Sequence, residues 1–479
     1  MFTDEQRGSV WQQIRQIDLR AFASILTPQV LAAAAGECGL ALGPTALNAA
    51  TLTWLGISAA LRPALSFCKV LVATFRLLRD MDRLPKPSAE SRSRRCRRPS
   101  RRRSKYDPRR EPSADPTEEA FAQARAHLPQ RWWVALLLVL GRIFDSRYGP
   151  LLRYRGFRLL SLDGTCLSLD RWKELGRHFG YARNQRGTPR PQARMVMLLL
   201  ATVRMPWRYE LTPRGEGEPT VAARLLRELE KNDLVLMDRL FFNYGLFAQI
   251  QAAEAFFAIR RPKAPRLRTI ASLGPHDRLV SWSPAARRWK NARITLRVID
   301  YQIKGFRRSA IVTNVLDAQR ISRTQFLGLS GSETWMTEHD TGLYHRRWEI
   351  ETAFRELKRV QQMQGKLRGR TPAAIQYEVA GHVLLYLLTR WLMVEAAVTH
   401  GKDPLRLSFT DALREVNYAA GVLVLCTPSQ QQRLVHHMLA EIARHEVPPR
   451  PGRHYPRPND GKTRYTGCGH RILSSKIKP

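Results

Sequence analysis

Short apolar runs of strand length alternate with helical patterns between residues 156 and 260, and this alternation restricts the possible folds more than any other feature of the chain. Three apolar runs come first, and a helix, a strand, a helix and a strand follow. In chain order these segments are 157–170, 195–203, 207–213, 221–231, 234–237, 242–253 and 255–260. Such an alternation predicts an α/β fold, in which helices pack on the faces of a sheet.

The rest of the chain divides by composition into further units. Almost no apolar residues occur in the segment 86–118, which carries eleven Lys and Arg between positions 92 and 110 and is predicted to be a disordered linker. A long helix is predicted to begin near residue 338. The predicted units are a helical N-terminal domain (1–85), the Arg-rich linker (86–118), an α/β domain in two parts (119–260 and 336–385), a β-rich insertion (261–335, with strands at 294–303 and 308–316), a C-terminal helical region (386–449) and a basic flexible tail (450–479).

The charge of the chain is strongly basic, with 79 Lys and Arg against 41 Asp and Glu, a net charge of +38. Such a field attracts polyanions, so nucleic acid is the expected partner and an anionic membrane surface is the alternative. The uncharged stretch 38–61 is long enough to span a bilayer, but its Gly, Pro and Asn residues favour buried helices, and we expect no membrane association. Six scattered cysteines indicate the reduced thiols of an intracellular protein, and the expected location is cytoplasmic and nucleoid-associated.

Two aspartates stand at the borders of apolar strands. Asp163 lies where one strand meets Gly164, and Asp238 lies at the end of the run 234–237. An unpartnered carboxylate at the end of a buried strand is costly, so each needs an explanation. A turn-capping role, or an ion pair such as Asp238 with Arg239, would explain either aspartate alone.

The helical pattern around Glu351 adds a third acidic residue. At about 100° per residue, Arg347, Glu351 and Lys358 fall within about 60° of Tyr344 and form a polar stripe. An apolar stripe lies directly beside it, and the same arithmetic turns the other two acids of the segment toward solvent. The apolar stripe consists of Leu343, Ile350, Phe354 and Leu357, and the solvent-facing acids are Glu349 and Glu356.

Three carboxylates from two strands and a helix can meet at one edge of a sheet, and such oxygen ligands suit Mg²⁺. Two ions about 4 Å apart would activate a water or 3′-hydroxyl for displacement at phosphorus. Arg347 and Lys358 would then hold the flanking phosphates, and Tyr344 would hydrogen-bond or stack there. The alternative is an amphipathic helix with incidental ion pairs.

The pattern Tyr-x2-Arg-x3-Glu-x6-Lys, formed by Tyr344, Arg347, Glu351 and Lys358, resembles the signature of insertion-sequence-four-type transposases at every position. The LDGT around Asp163 and the MDRLFFNYG around Asp238 are similar to the two aspartate motifs of that family. The resemblance covers residues 156–385 and extends loosely to the N-terminal helices, which look like an end-binding domain.

The resemblance implies a ribonuclease-H-like mixed sheet flanked by helices and interrupted by the β-rich insertion, in an Asp-Asp-Glu transposase. It implies that Asp163, Asp238 and Glu351 bind two Mg²⁺ or Mn²⁺ ions, and that Tyr344, Arg347, Lys358 and Arg239 contact the DNA end. It also implies an aromatic residue in the insertion that stacks on a flipped base, for which Trp335 is the candidate and Trp282 and Trp289 are rivals.

The expected function is therefore cleavage of double-stranded DNA at terminal inverted repeats and transfer of the 3′-OH into target DNA, by a homodimer in the DNA complex. Two other functions stay open at the level of the sequence. One is a non-catalytic DNA-binding protein derived from a transposase, and the other is a ribonuclease-H-like repair nuclease. A ribosome-associated basic protein would explain the charge and leave the carboxylates unexplained.

Overall fold

A computed structural model gives the three-dimensional structure of most of the chain between residues 22 and 448. The described residues are 22, 24–42, 47–80, 116–182, 189–262, 266–284, 286, 289, 291–302, 308–328, 342–364, 367–422 and 427–448. Most of the predicted linker, the predicted tail, Trp335 and the predicted helix start near residue 338 lie outside these residues.

A nine-stranded mixed sheet forms the centre of the described part of the molecule. Its order is β3-β2-β1-β4-β5-β9-β8-β7-β6. The strands are β1 (Arg158–Ser168), β2 (Gln192–Leu200), β3 (Met205–Pro213), β4 (Asp233–Met237), β5 (Phe256–Arg260), β6 (Arg268–Gly274), β7 (Asp277–Trp282), β8 (Ile294–Tyr301) and β9 (Ser309–Thr313). The antiparallel β1–β3 meander continues into parallel β4 and β5. This arrangement is ribonuclease-H-like, and the predicted fold class is confirmed.

The predicted β-rich insertion extends the same sheet, because β9 pairs with β5 in the antiparallel direction. The strands predicted at 294–303 and 308–316 correspond to β8 and β9, whereas β6 and β7 were not predicted. Six of the seven residues of β6 are exposed, so this strand lacks the alternation of apolar and polar residues that identifies a half-buried strand.

Helices cover the sheet and pack on one another at its β3 side. The α-helices are α1 (Pro28–Glu37), α2 (Ala49–Leu61), α3 (Phe67–Asp80), α4 (Glu118–His127), α5 (Gln130–Leu152), α6 (Lys173–Phe179), α7 (Glu218–Leu225), α8 (Tyr244–Ala252), α9 (Arg323–Leu327), α10 (Glu349–Arg355), α11 (Pro372–His400), α12 (Phe409–Val422) and α13 (Pro428–Arg444). The helical stretch between residues 118 and 152 is divided into α4 and α5 at Pro129, which precedes the first turn of α5.

Helix α11 joins the N-terminal helices to the rest of the structure. A Cβ added to Gly381 would lie 2.5 Å from the carbonyl oxygen of Gly56, so α2 and α11 approach backbone to backbone. Apolar residues of both helices belong to one hydrophobic core, and the predicted boundary at residue 385 lies inside α11. By length and composition α11 could cross a membrane, and 94% of its most apolar window is buried inside the protein.

Alternate residues of β1 point to opposite faces of the sheet. Leu160 and Leu162 join the larger apolar core on one face, whereas Phe157 and Leu159 join a second core on the other. Asp163 follows the parity of Leu159 and therefore lies on the second face.

Candidate active site

The polar signature residues lie on one irregular helical segment, 343–360, which we call the signature segment. It begins as a 3-10 helix (Leu343–Trp348), continues as α10 and ends as a π-helix (Glu356–Val360). All four residues of the predicted apolar stripe are buried. The segment packs on β1, because Ser161 Oγ donates to the carbonyl oxygen of Arg346 (3.3 Å) and the Lys358 ammonium donates to Thr165 Oγ1.

Asp163 and Asp238 occupy neighbouring positions on adjacent parallel strands. Leu162 of β1 is in register with Met237 of β4, and each aspartate is the next residue on its strand. The Asp238 carboxylate accepts the backbone N–H of Leu240 (2.6 Å) and caps a short 3-10 helix, Arg239–Phe241. Because parallel neighbours are about 4.8 Å apart, this register puts the two acidic residues side by side at one edge of the sheet.

The electrostatic surroundings of Asp163 include the other two acids. Burial raises the pKa of Asp163 to about 7, against the opposing effects of the Gly164 N–H and the Arg347 guanidinium. The negative charges of Asp238 and Glu351 raise this pKa further. The N–H of Gly164 donates to Asp163 Oδ1 at 2.8 Å. The three acidic side chains are therefore close enough to interact, and a bound cation would offset their mutual repulsion.

Glu351 is the most exposed of the three acids, with a side chain 44% accessible to solvent. Its carboxylate accepts hydrogen bonds from both terminal nitrogens of Arg347, each at 3.3 Å. The guanidinium of Arg347 is 9% exposed and lies 4.4 Å from the ring centre of Trp348. Arg347 is thus held between an acid and an indole ring, one turn before Glu351.

The remaining predicted DNA-contacting residues differ in their surroundings. The Tyr344 hydroxyl donates to the carbonyl oxygen of Met237 (2.8 Å), and burial raises its pKa. The Lys358 ammonium also donates to the carbonyl oxygen of Cys166 (2.8 Å), and burial lowers its pKa. Arg239 is exposed beside Asp238. Tyr344 and Lys358 therefore attach the signature segment to the ends of β4 and β1.

The acidic residues supply the hard oxygen ligands that Mg²⁺ prefers. Within the described ranges, no three His, Cys, Asp or Glu side chains are gathered closely enough to hold a metal ion in this conformation. The Glu351 carboxylate is turned to Arg347. The donor chemistry of Asp163, Asp238 and Glu351 fits a divalent cation, and their assignment as ligands stays a prediction.

The candidate base-stacking tryptophans have different environments. Trp282 is 8% exposed and packs against Phe242 and Phe247, as a core residue does. Trp289 lies 4.8 Å from Tyr244, centre to centre. Trp335, the first candidate, lies outside the described residues.

The prediction that Glu349 and Glu356 face solvent is wrong. Glu356 is buried, where its carboxylate pairs with Arg390 and accepts the Tyr386 hydroxyl at 2.6 Å. Glu349 pairs with Arg204, which also lies 3.6 Å from Glu356. The rotation of 100° per residue does not hold through 3-10 and π turns, so positions shift around the axis.

Arg204 was not identified from the sequence. It lies in the turn between β2 and β3 with a φ of 55°, a left-handed conformation that costs a non-glycine residue about 1 kcal/mol. Arg204 forms ion pairs with Glu349 and Glu356 of the signature segment, and no local sequence pattern can predict pairs that are about 150 positions apart.

A ribonuclease-H-like sheet with Asp163 and Asp238 at its edge, beneath a helix that carries Glu351, defines the class of polynucleotidyl transferases with an Asp-Asp-Glu site. Residues 154–388 match the family described as "Transposase DDE domain". Over 313 residues the chain is 26% identical to the transposase InsG for insertion sequence element IS4 of Escherichia coli (strain K12), which covers 63% of this chain and 67% of that protein. Residues 154–388 therefore form a transposase DDE domain, and the chain is a DNA transposase that is similar to the transposase of insertion sequence element IS4.

Among solved structures, the chain is similar to piggyBac transposase, in a synaptic complex with hairpin DNA. The match has a TM-score of 0.39 and 9% sequence identity, and it covers 88% of this chain and 84% of the other.

Proposed function

We propose that this transposase hydrolyses a phosphodiester bond at each inverted-repeat end of its element and transfers the resulting 3′-OH into target DNA. The observation that carries this proposal is the position of Asp163 beside Asp238 at the sheet edge, under the helix that bears Glu351. Transposase DDE domains with this arrangement use divalent metals. We propose Asp163, Asp238 and Glu351 as the ligands of two Mg²⁺ or Mn²⁺ ions.

Such a pair of ions, when bound, would activate the attacking water or 3′-hydroxyl and stabilise the leaving oxygen. The protein supplies the positions of the acids. Asp163 is oriented by the Gly164 N–H and Asp238 by the Leu240 N–H, so two of the three carboxylates already have a fixed orientation. Glu351 has the Arg347 guanidinium as its partner and would exchange it for the cations.

Release of Glu351 would leave Arg347 free to contact a phosphate oxygen of the DNA end, as the family signature implies. Lys358 has only neutral hydrogen-bond partners among the described residues, so its charge is also available to a phosphate. Arg239 is exposed beside Asp238, where it would contact a phosphate of the same DNA strand. Tyr344 would act mainly through its bond to Met237, which holds the end of β4 next to Asp238.

The partner is double-stranded DNA, at the terminal repeats and at the target, and we propose that a homodimer joins two ends. The net charge of +38 supports binding to a polyanion, and the eleven Lys and Arg at 92–110 would add salt-sensitive phosphate contacts. Trp335 remains the proposed base-stacking residue of the insertion. We propose a cytoplasmic location at the nucleoid, which the composition supports.

The test is cleavage of a duplex that carries the element's terminal repeat, in Mg²⁺ or Mn²⁺, by the full-length protein. Glu351→Gln should lower the cleavage rate at least about a hundredfold, because a ligand carboxylate is lost while its shape is kept. The matched control is Glu254→Gln, since Glu254 is 68% exposed and pairs with Lys231. Full activity in Glu351→Gln would refute the assignment, and nicking without strand transfer would indicate a nuclease.

A further inference from the structure

Gly164 lies in the interior of a strand, although its sequence context suggested a turn. β1 continues through it to Ser168, and Gly164 is in register with Val196 of β2. Its φ is not among the positive values of the described glycines, so the backbone does not require a glycine here. Another reason must exclude a side chain at this position.

The space above Gly164 is filled by Glu218, the first residue of α7. A Cβ added to Gly164 would lie 2.5 Å from Cδ of Glu218 and 2.9 Å from its Cγ and Oε1. Contacts under 3.0 Å do not occur with a real Cβ, so any larger residue would push the glutamate away. The glycine therefore provides the room in which the Glu218 side chain lies.

The Glu218 side chain is held from the neighbouring strand. Its Oε1 lies 3.5 Å from Nε of Arg194, and both side chains are about 15% exposed. Arg194 is in register with Cys166, two residues beyond Gly164 on β1, and also donates to the carbonyl oxygen of Glu216. Arg194 thus fixes both the glutamate and the loop that leads into α7.

Gly164 connects this ion pair to the first acidic residue of the site. The backbone N–H of Gly164 donates to Asp163 Oδ1 at 2.8 Å, so the position of the glycine backbone helps to orient the aspartate carboxylate. Glu218 also interacts electrostatically with Asp238. A chain of direct contacts therefore runs from Arg194 through Glu218 and Gly164 to Asp163.

We propose that Glu218 is a positioning residue for Asp163: packed on Gly164 and paired with Arg194, it fixes the backbone that orients the Asp163 carboxylate. This inference rests on the proposed role of Asp163 as a metal ligand. It explains the glycine of the LDGT motif by the need for space in which a glutamate more than fifty residues later in the chain can pack.

The experiment compares full-length Gly164→Ala, Glu218→Ala and the double variant. Each single variant should lose about tenfold in cleavage rate and bind Mn²⁺ about tenfold more weakly in calorimetry without DNA, as expected for residues that orient a ligand. Because Gly164→Ala acts by displacing Glu218, the double variant should lose no more activity than Glu218→Ala alone, well below the product of the two single losses. The Kd for terminal-repeat DNA should not change.

Glu218→Gln is the conservative control, since it keeps the volume over Gly164 and an oxygen beside Nε of Arg194. It should restore cleavage and Mn²⁺ affinity to within about threefold of wild type. Wild-type Mn²⁺ affinity in Glu218→Ala would overturn the inference, even if that variant were less stable, and so would independent losses in the double variant.

The two proposals fail in different ways. If the wild type cleaves and Glu351→Gln does not, while Glu218→Ala matches the wild type in cleavage and Mn²⁺ binding, only the positioning role is lost. If Glu351→Gln is fully active, the proposed metal site itself is refuted.

Discussion

The two faces of the signature segment use acidic residues in opposite ways. On the face toward the sheet edge, Glu351 is 44% exposed and pairs with Arg347. On the opposite face, Glu356 is 11% exposed and contacts Arg390, Tyr386 and Arg204. The first face leaves its carboxylate available to a ligand, whereas the second uses its carboxylate to attach the segment to the core.

This difference explains how an irregular helix can hold a site in place. A segment that changes from 3-10 to α to π geometry has no uniform hydrogen-bond pattern to fix its rotation. Burial alone would raise the pKa of Glu356, but Arg390 and Arg204 outweigh it and the net pKa is lowered. The buried ion pair therefore fixes the rotation of the helix between Glu351 and Lys358.

The largest expected effect separates the two glutamates by stability. Glu356→Ala should lower the free energy of unfolding by about 3–5 kcal/mol, because it leaves Arg390 charged and unpaired in the core. Glu351→Ala should cost less than about 1 kcal/mol, as for an exposed ion pair. Urea unfolding of both variants measures the difference, and equal losses would show that the two faces are not distinct.

The loss of stability at acidic pH should depend on Glu356, on the buried face of the signature segment. Because the folded-state pKa of Glu356 is lowered, its contribution to stability is fully present above the usual value of 4.5 and is lost as the pH falls through the folded pKa. The midpoint of thermal unfolding should therefore fall more steeply below pH 4.5 in the wild type than in Glu356→Gln. Parallel pH profiles would contradict this role for Glu356.

Tyr386→Phe should have an intermediate effect, since it removes two hydrogen bonds to charged groups and keeps the ring. The Tyr386 hydroxyl donates to Glu356 at 2.6 Å and also accepts from Arg390 at 3.2 Å. We expect a loss of about 1.5 kcal/mol in urea unfolding. Arg390 and Glu356 remain paired in this variant, so a loss as large as that of Glu356→Ala would contradict the ranking.

The smallest effect is expected for Glu349→Gln. Glu349 has Arg204 as its partner, and both side chains are about 15% exposed, so the pair lies near the rim of the core. Less than about 1 kcal/mol should be lost, because Arg204 keeps its contact with Glu356. Thermal unfolding measures this loss of stability. A loss larger than that of Tyr386→Phe would show that the signature segment is attached mainly through Glu349.

Local pattern was sufficient for the α/β fold, the apolar stripe of the signature segment and the position of Asp238 directly after a strand, whereas Asp163 lies inside β1 and not at its end. Each of these depends on residues that are neighbours in the chain or on one face of one element. The Tyr344, Arg347, Glu351 and Lys358 spacing indicated the family for the same reason. Strand β6 was missed because a strand that is exposed along almost its whole length carries no apolar period. In β7 the buried residues are Asp277, Val280 and Trp282, which do not alternate regularly along the strand.

Contacts between distant parts of the chain decided the rest. Glu349, Glu351 and Glu356 are chemically alike in the sequence, and the folded chain distinguishes them by pairing Glu349 with Arg204 and Glu356 with Arg390. Likewise, the sequence around Gly164 is compatible with a turn, and only the folded chain shows that the Glu218 side chain occupies the space above this glycine. A linear pattern records what each residue can do, whereas the folded chain determines which partner reaches it, because charge pairing and steric exclusion act through space.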